Sequence, residues 1–131
     1  MSVIRQSYIV HAGVGKVWEA LVNPVLINEW GAGPAKMSDK VGFKFSLWNG
    51  DIYGKNLEVK PKKMIVQEWV FGKGKPSRVQ ISLTFENQRT YIDLLHEDVP
   101  DKDRDKINKG WKDFYFGPLR DWVERNNPAG V

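Results

Sequence analysis

The chain contains no cysteine. That absence excludes disulfides, thiolate metal sites, iron–sulfur clusters and a cysteine nucleophile. Histidine is almost as scarce, with His11 and His96 the only two. They fall on separate predicted elements, and no acidic spacing ties them into a metal or catalytic motif. HExxH, GxSxG and phosphate-binding glycine loops are missing as well. No stretch approaches the roughly 20 apolar residues of a membrane span, and residues 1–11 lack the long apolar run of a signal peptide. A cytoplasmic location is therefore expected, with no catalytic residue, metal or cofactor.

What is present describes one globular domain. The 131 residues suit a single core, and 41% hydrophobic with 27% charged residues is ordinary for a folded protein. The net charge of +4 is uneven. Residues 54–78 carry seven basic and two acidic side chains, whereas residues 79–100 carry one basic and four acidic. Lys55, Lys60, Lys62, Lys63, Lys73, Lys75 and Arg78 are thus the candidates for meeting an acidic protein partner. The plainer reading is solvated lysines on strand edges and hairpin tips. No nucleic-acid motif accompanies the charge.

Hydrophobic periodicity sets the element order. Residues 3–11 read as a strand with Ile4, Tyr8 and Val10 on one face. Val14, Val17, Trp18 and Leu21 form the apolar stripe of a short helix, which Asn23-Pro24 stops while starting a second one over residues 25–29. Strands follow at 42–47, 51–59, 64–71, 79–85 and 89–97. Asn49-Gly50 is the strongest hairpin signal, and Asn87-Gln88 marks a later turn. A long helix is expected over residues 102–125, with a kink or break near Pro118, which cannot donate to the carbonyl of Phe114. Residues 126–131 are expected to fray. The fold class is therefore α+β: a curved antiparallel sheet that must bury its concave face against the only long helix available.

Such a grip leaves room for a cavity between sheet and helix. Sixteen aromatic residues, six of them Trp, are the material to line it. Phe45, Tyr53, Trp69 and Tyr91 on strands, with Trp111, Phe114 and Tyr115 on the helix, are the pocket candidates. Ile107, Trp111 and Phe114 are spaced to share the gripped helix face. Gly110 beside them lets a strand approach or leaves open space. Asp93 and Glu97 share strand parity and, with Arg5 and His96, are the few polar groups that a catalytic reading would use; no spacing supports that role. Trp122 and the residues from Phe116 to Leu119 are available for a dimer contact, and both a monomer and a homodimer stay open.

Several ordered stretches resemble a known family. They are Val41-Gly42-Phe43-Lys44-Phe45-Ser46-Leu47-Trp48-Asn49-Gly50-Asp51, Leu57-Glu58-Val59-Lys60-Pro61, Ile65-Val66-Gln67-Glu68-Trp69 and Gly110-Trp111-Lys112-Asp113-Phe114-Tyr115-Phe116-Gly117-Pro118. Together they resemble the C-terminal domain of the activator of Hsp90 ATPase (Aha1) family, within the START-like or Bet v 1-like superfamily. The resemblance covers about residues 5–123 and treats residues 1–131 as one domain. It implies a helix-grip fold. It also implies three functional expectations. The first is a non-enzymatic START-like domain holding a small hydrophobic ligand. The second is a stress-response interaction module that engages an Hsp90-like chaperone. The third is a small cyclase or hydrolase of the same superfamily. The chain begins at its first strand, so the separate N-terminal domain of those co-chaperones is expected to be missing.

Overall fold

The computed structural model describes residues 1–127. Its elements are β1 (Ser2–Val10), α1 (Val14–Val22), α2 (Pro24–Trp30), β2 (Lys44–Leu47), β3 (Ile52–Lys60), β4 (Met64–Phe71), β5 (Ser77–Glu86), β6 (Arg89–Val99), α3 (Arg104–Gly110), a π-helical turn (Trp111–Phe116) and α4 (Gly117–Arg125). One six-stranded sheet has the order β1-β6-β5-β4-β3-β2, and every pairing is antiparallel. The helix-grip architecture expected from the sequence is the architecture present.

Strand alternation sorts the two faces. Ile4, Tyr8 and Val10 of β1, Ile92, Leu94 and His96 of β6, and Val79, Ile81 and Leu83 of β5 are buried on the concave face. Ile65, Gln67 and Trp69 of β4 continue it, and Phe45 and Leu47 of β2 close it. Trp111, Tyr115, Phe116, Leu119 and Val123 cover that face from the C-terminal helical run. The first helix adds Val17, Trp18 and Leu21, and the second adds Ile27 and Trp30. Asn23 caps α2 by accepting from the Val25 amide at 3.0 Å, and Pro24 follows at the first helical position.

The first strand holds the helical run in register. Tyr8 donates its hydroxyl to Gln6, and the Gln6 amide donates to Asn108 O at 2.7 Å and Asn108 Oδ1 at 2.9 Å. Farther along, the Arg120 guanidinium sits 5.7 Å from the Tyr8 ring centre.

The structure gives four local expectations their form. The Asn49-Gly50 turn joins β2 to antiparallel β3 as expected, and because Leu47 pairs with Ile52 the connection is four residues long. Trp48 (φ 48°), Asn49 (φ 55°) and Gly50 (φ 94°) are all left-handed there. The disturbance expected near Phe116-Gly117-Pro118 is there, but its form is a widened turn over Trp111–Phe116 that ends where the Gly117 amide reaches back five residues to Lys112 O. A Cβ on Gly117 would sit 2.4 Å from that oxygen, so the wide turn requires glycine. Phe116 and Leu119 are fully buried and offer no surface to a second copy, whereas Gly117, Pro118 and Trp122 are half-buried. Finally, Asn127 is anchored, accepting from Lys16 Nζ at 2.6 Å and donating to His11 O at 3.3 Å. The remainder of the expected frayed tail, 128–131, lies outside the described residues.

Gly54 shows how tightly sheet and core meet. A Cβ there would lie 1.7 Å from the Glu68 carbonyl oxygen and 3.2 Å from the Phe45 ring. Because the obstacle is backbone, it cannot move aside without opening the β3–β4 pairing. Gly54→Ala is expected to cost about 3 kcal/mol, measured by chemical denaturation; an unchanged midpoint would contradict the pairing described.

Candidate functional site: an aromatic cleft at the helix–sheet junction

A cleft of about 500 Å³ opens where the helical run leaves the β3–β4 end of the sheet. Trp48, Asp51 and Ile52 form one side, and Trp69 and Phe71 of β4 form the base. Lys106, Ile107 and Gly110 of α3, then Trp111, Phe114 and Tyr115 of the π-helical turn, form the opposite side. That volume is in the range of small-molecule sites, about 300–1,000 Å³.

The rings meet closely: Trp69–Trp111 at 4.6 Å, Trp111–Tyr115 at 4.9 Å and Trp30–Tyr115 at 4.9 Å between centroids. Behind them run two polar chains. The Trp111 indole N–H donates to His96 Nδ1 at 3.0 Å. His96 Nε2 lies 2.8 Å from Ser77 Oγ, which donates to the Trp69 carbonyl at 3.1 Å. Since Nδ1 must accept and the Ser77 hydrogen is already used, the proton of the neutral imidazole is on Nε2. The second chain fixes Trp69, whose indole N–H donates to Gln67 Oε1 at 2.8 Å. The Gln67 amide then donates to Asn56 Oδ1 at 2.9 Å, and Asn56 donates to the carbonyls of Ser38 and Lys40 at 2.8 and 3.0 Å. Trp48 is held on the rim by its indole N–H, which donates to Gly31 O at 3.1 Å.

Of the seven pocket candidates, the structure brings Trp69, Trp111, Phe114 and Tyr115 to the cleft. Phe45 is buried behind Trp69, 6.1 Å away between centroids, and does not line it. Tyr53 is on the opposite face of β3, 43% exposed, with its hydroxyl on Gly72 O at 3.0 Å. Tyr91 is likewise on the convex face, paired across from Ile9 and Thr84. Parity within each strand was readable, but the inward parity of β3 and β6 was not. Ile107, Trp111 and Phe114 do not share one buried face. The π-helical turn adds a residue per turn, so Trp111 packs with Tyr115 and Phe116, and Phe114 rotates to the rim, 66% exposed.

Trp48, Phe71, Ile52 and the polar partners of the indoles were missed. Gln67, lying on the same strand face as Ile65 and Trp69, was the available signal. Arg5, Asp93 and His96 do not converge. Arg5 and Asp93 are exposed on the convex side, Asp93 accepting from Ser7 at 2.7 Å, whereas His96 is buried. Glu97 pairs with Arg78 at 3.1 Å. Nor do the seven basic candidates form one patch. Lys55, Glu68, Arg78 and Glu97 are neighbours across the convex face, alternating in sign. Lys60, Lys62 and Lys63 lie at one end of β4, and Lys73 and Lys75 at the other, separated by about 25 Å of strand.

The family model described as activator of Hsp90 ATPase homolog 1-like protein matches residues 11–124. The chain belongs to that family. Human activator of 90 kDa heat shock protein ATPase homolog 1 is 24% identical over 108 residues, covering 80% of this chain and 32% of the relative. The chain thus spans about a third of the length of the curated relatives it matches, 36% and 32% in two cases. Among solved structures, an Hsp90 activator from Plasmodium falciparum superposes with a TM-score of 0.83 at 19% identity, covering 94% of this chain and 96% of that one. DynU16, a protein of the dynemicin biosynthetic locus, also gives 0.83, at 24% identity, covering 98% of this chain and 49% of that one. Both likenesses are of fold. Among the described residues, no helix is long and apolar enough to cross a membrane, and no group of three or more His, Cys, Asp or Glu converges to hold a metal.

Two predictions follow from the buried chains. Burial lowers the His96 pKa from 6.5 to about 4. Below pH 6.5 the unfolded chain binds this proton and the folded protein does not, so the contribution is full above pH 6.5 and lost as pH falls toward 4. Denaturation of wild type and His96→Gln should show their stability difference shrinking by about 2 kcal/mol between pH 7 and 5; a pH-independent difference would contradict this. Trp111→Ala should cost about 3 kcal/mol at pH 7, the low end for a buried tryptophan because one side of the ring faces the cleft. A change within about 0.5 kcal/mol in denaturant midpoint analysis would mean the helix does not pack as described.

Proposed function

We propose that this domain binds a small apolar ligand in the aromatic cleft and does so without catalysis. One observation carries the reading: a cleft of about 500 Å³ is walled by rings and aliphatic side chains, and the histidine behind it is sealed and neutral. A general acid or base needs a titrating group at the reacting atom. Here the charged groups are Asp51 and Lys106, on the exposed rim. What remains inside is apolar area, which removes ligand surface from water at about 25 cal/mol per Å².

The test is a titration of isotope-labelled protein with naphthalene, followed by the indole N–H resonances. The signals of Trp69 and Trp111 should shift saturably. Ile107→Glu, which puts a charge on a half-buried cleft wall, should weaken binding at least about tenfold, since a carboxylate there must be desolvated. Saturable binding unaffected by Ile107→Glu, or no binding, would overturn the reading.

A second reading rests on the family. The human relative and the Plasmodium structure are both named for Hsp90 activation. Engagement of an Hsp90 from the same organism by this domain would draw on the lysines at the two ends of β4. Charge-steered contact should weaken steeply between 50 mM and 500 mM salt. Absence of binding at the lower salt counts against it.

A further inference from the structure

Trp69 and Trp111 touch at 4.6 Å between centroids, so together they close the back of the cleft as one continuous floor. The open space lies in front of them. On the sheet side it is bounded by Ile52 and Phe71, which are cross-strand partners. On the helix side it is bounded by Lys106, Ile107, Gly110 and Phe114. Gly110 is the unexplained member of that wall. Its backbone is ordinary helix, with φ −60° and ψ −37°, so no left-handed turn requires glycine. No close backbone approach requires it either, since an added Cβ would meet only Phe114 Cδ2 at 3.9 Å, an ordinary contact. Apart from proline, glycine is the residue least favourable to a helix interior. What this one supplies in return is a strip of bare helix backbone facing the cleft.

We propose that Gly110 seats the shaft of a linear amphiphile, an alkyl chain with one terminal anionic group such as a carboxylate, whose head reaches Lys106. The inference rests on the small-ligand reading above and names its ligand class. A chain lying over Gly110 keeps its apolar length against Ile52, Phe71 and Ile107 and buries it without needing a polar partner. Lys106 lies four residues before Gly110, one helical turn and about 6 Å along the axis. It lines the same cleft while remaining exposed. An anionic head there stays in water and pairs with the ammonium, so no charge has to be desolvated. Asp51 stands on the opposite, sheet side of the mouth. Its carbonyl accepts from the Gly72 amide at 3.2 Å, which brings the loop carrying Lys73 and Lys75 alongside and offsets the Asp51 charge. The helix side therefore sets the sign of the head group.

Octan-1-ol, octanoate and octylammonium share one chain and differ only in the head. Each is titrated at about pH 7 into the isotope-labelled full chain and followed by the Trp69 and Trp111 indole signals. Octanoate should bind wild type about fivefold tighter than octylammonium at about 50 mM salt, and the ratio should fall toward one at about 500 mM, as for an exposed ion pair. Lys106→Met keeps the aliphatic stem and should abolish the preference for octanoate. Gly110→Ala should raise the denaturation midpoint, and Gly110→Leu should weaken octan-1-ol binding at least about tenfold by filling the seat. Octanoate binding no tighter than octylammonium, or a preference that survives Lys106→Met, overturns the proposal. So does a Gly110→Leu variant that binds octan-1-ol like wild type or that fails to fold, since either means that no seat is open over Gly110. Binding of naphthalene without any octyl probe overturns this inference and leaves the small-ligand reading standing. Failure of naphthalene as well overturns both.

Discussion

The hydrogen bond from the Trp111 indole to His96 fixes the helix on the sheet. Apolar packing alone is non-directional and would tolerate rotation or sliding of a helix across a curved surface. A buried donor must find its acceptor, and leaving it unmet costs about 1–3 kcal/mol. Here the acceptor is a histidine on β6, itself held by Ser77 of β5, which is held by the Trp69 carbonyl of β4. One polar line thus crosses from the helix through three strands. It selects one rotation of the π-helical turn, and that rotation sends Tyr115 and Phe116 inward and Phe114 outward.

The cleft follows from this arrangement together with two backbone devices. Gly117 permits the widened turn because nothing larger fits against Lys112 O. Across the cleft, Trp48 adopts a left-handed conformation that costs a bulky residue about 1–2 kcal/mol. That cost is offset by anchoring. The Trp48 amide donates to Ala32 O at 2.8 Å, the Asn49 amide to Pro34 O at 3.0 Å and the indole to Gly31 O. A strained turn held by contacts outside itself places one ring on the rim, an arrangement common at binding sites.

The sequence made the architecture legible because its strands alternate cleanly and its helices carry apolar stripes. Val79, Ile81 and Leu83 announced an inward face, and β4 was read to its observed bounds. Within the cleft, Trp69, Trp111 and Tyr115 were legible as large rings on the two gripping elements. What escaped was anything set by non-local contact. Whether Tyr53 or Gly54 faces inward depends on the pairing register with Glu68 and Trp69, and no local pattern states that register. The π-helical turn was invisible because spacing arguments assume a regular helix. Pro118 pointed to the disturbance and not to its form. The basic run between residues 54 and 78 looked continuous because sequence distance hides an intervening strand.

The location of the open space follows from the same geometry. A core with this many large rings packs well where side chains alternate with small neighbours, as at Gly54 beneath Phe45. At the α3 junction the opposite holds. Gly110 contributes no side chain, and an added Cβ would meet only the edge of Phe114 at 3.9 Å. Phe114, which a regular helix would have turned toward the sheet, is displaced to the rim by the extra residue in the turn. Ile107 and Ile52 then remain half-buried across an unfilled gap. The Trp111 indole, which walls this gap, is held in place by its hydrogen bond to His96. The interaction that fixes the helix on the sheet thus also fixes one wall of the cleft.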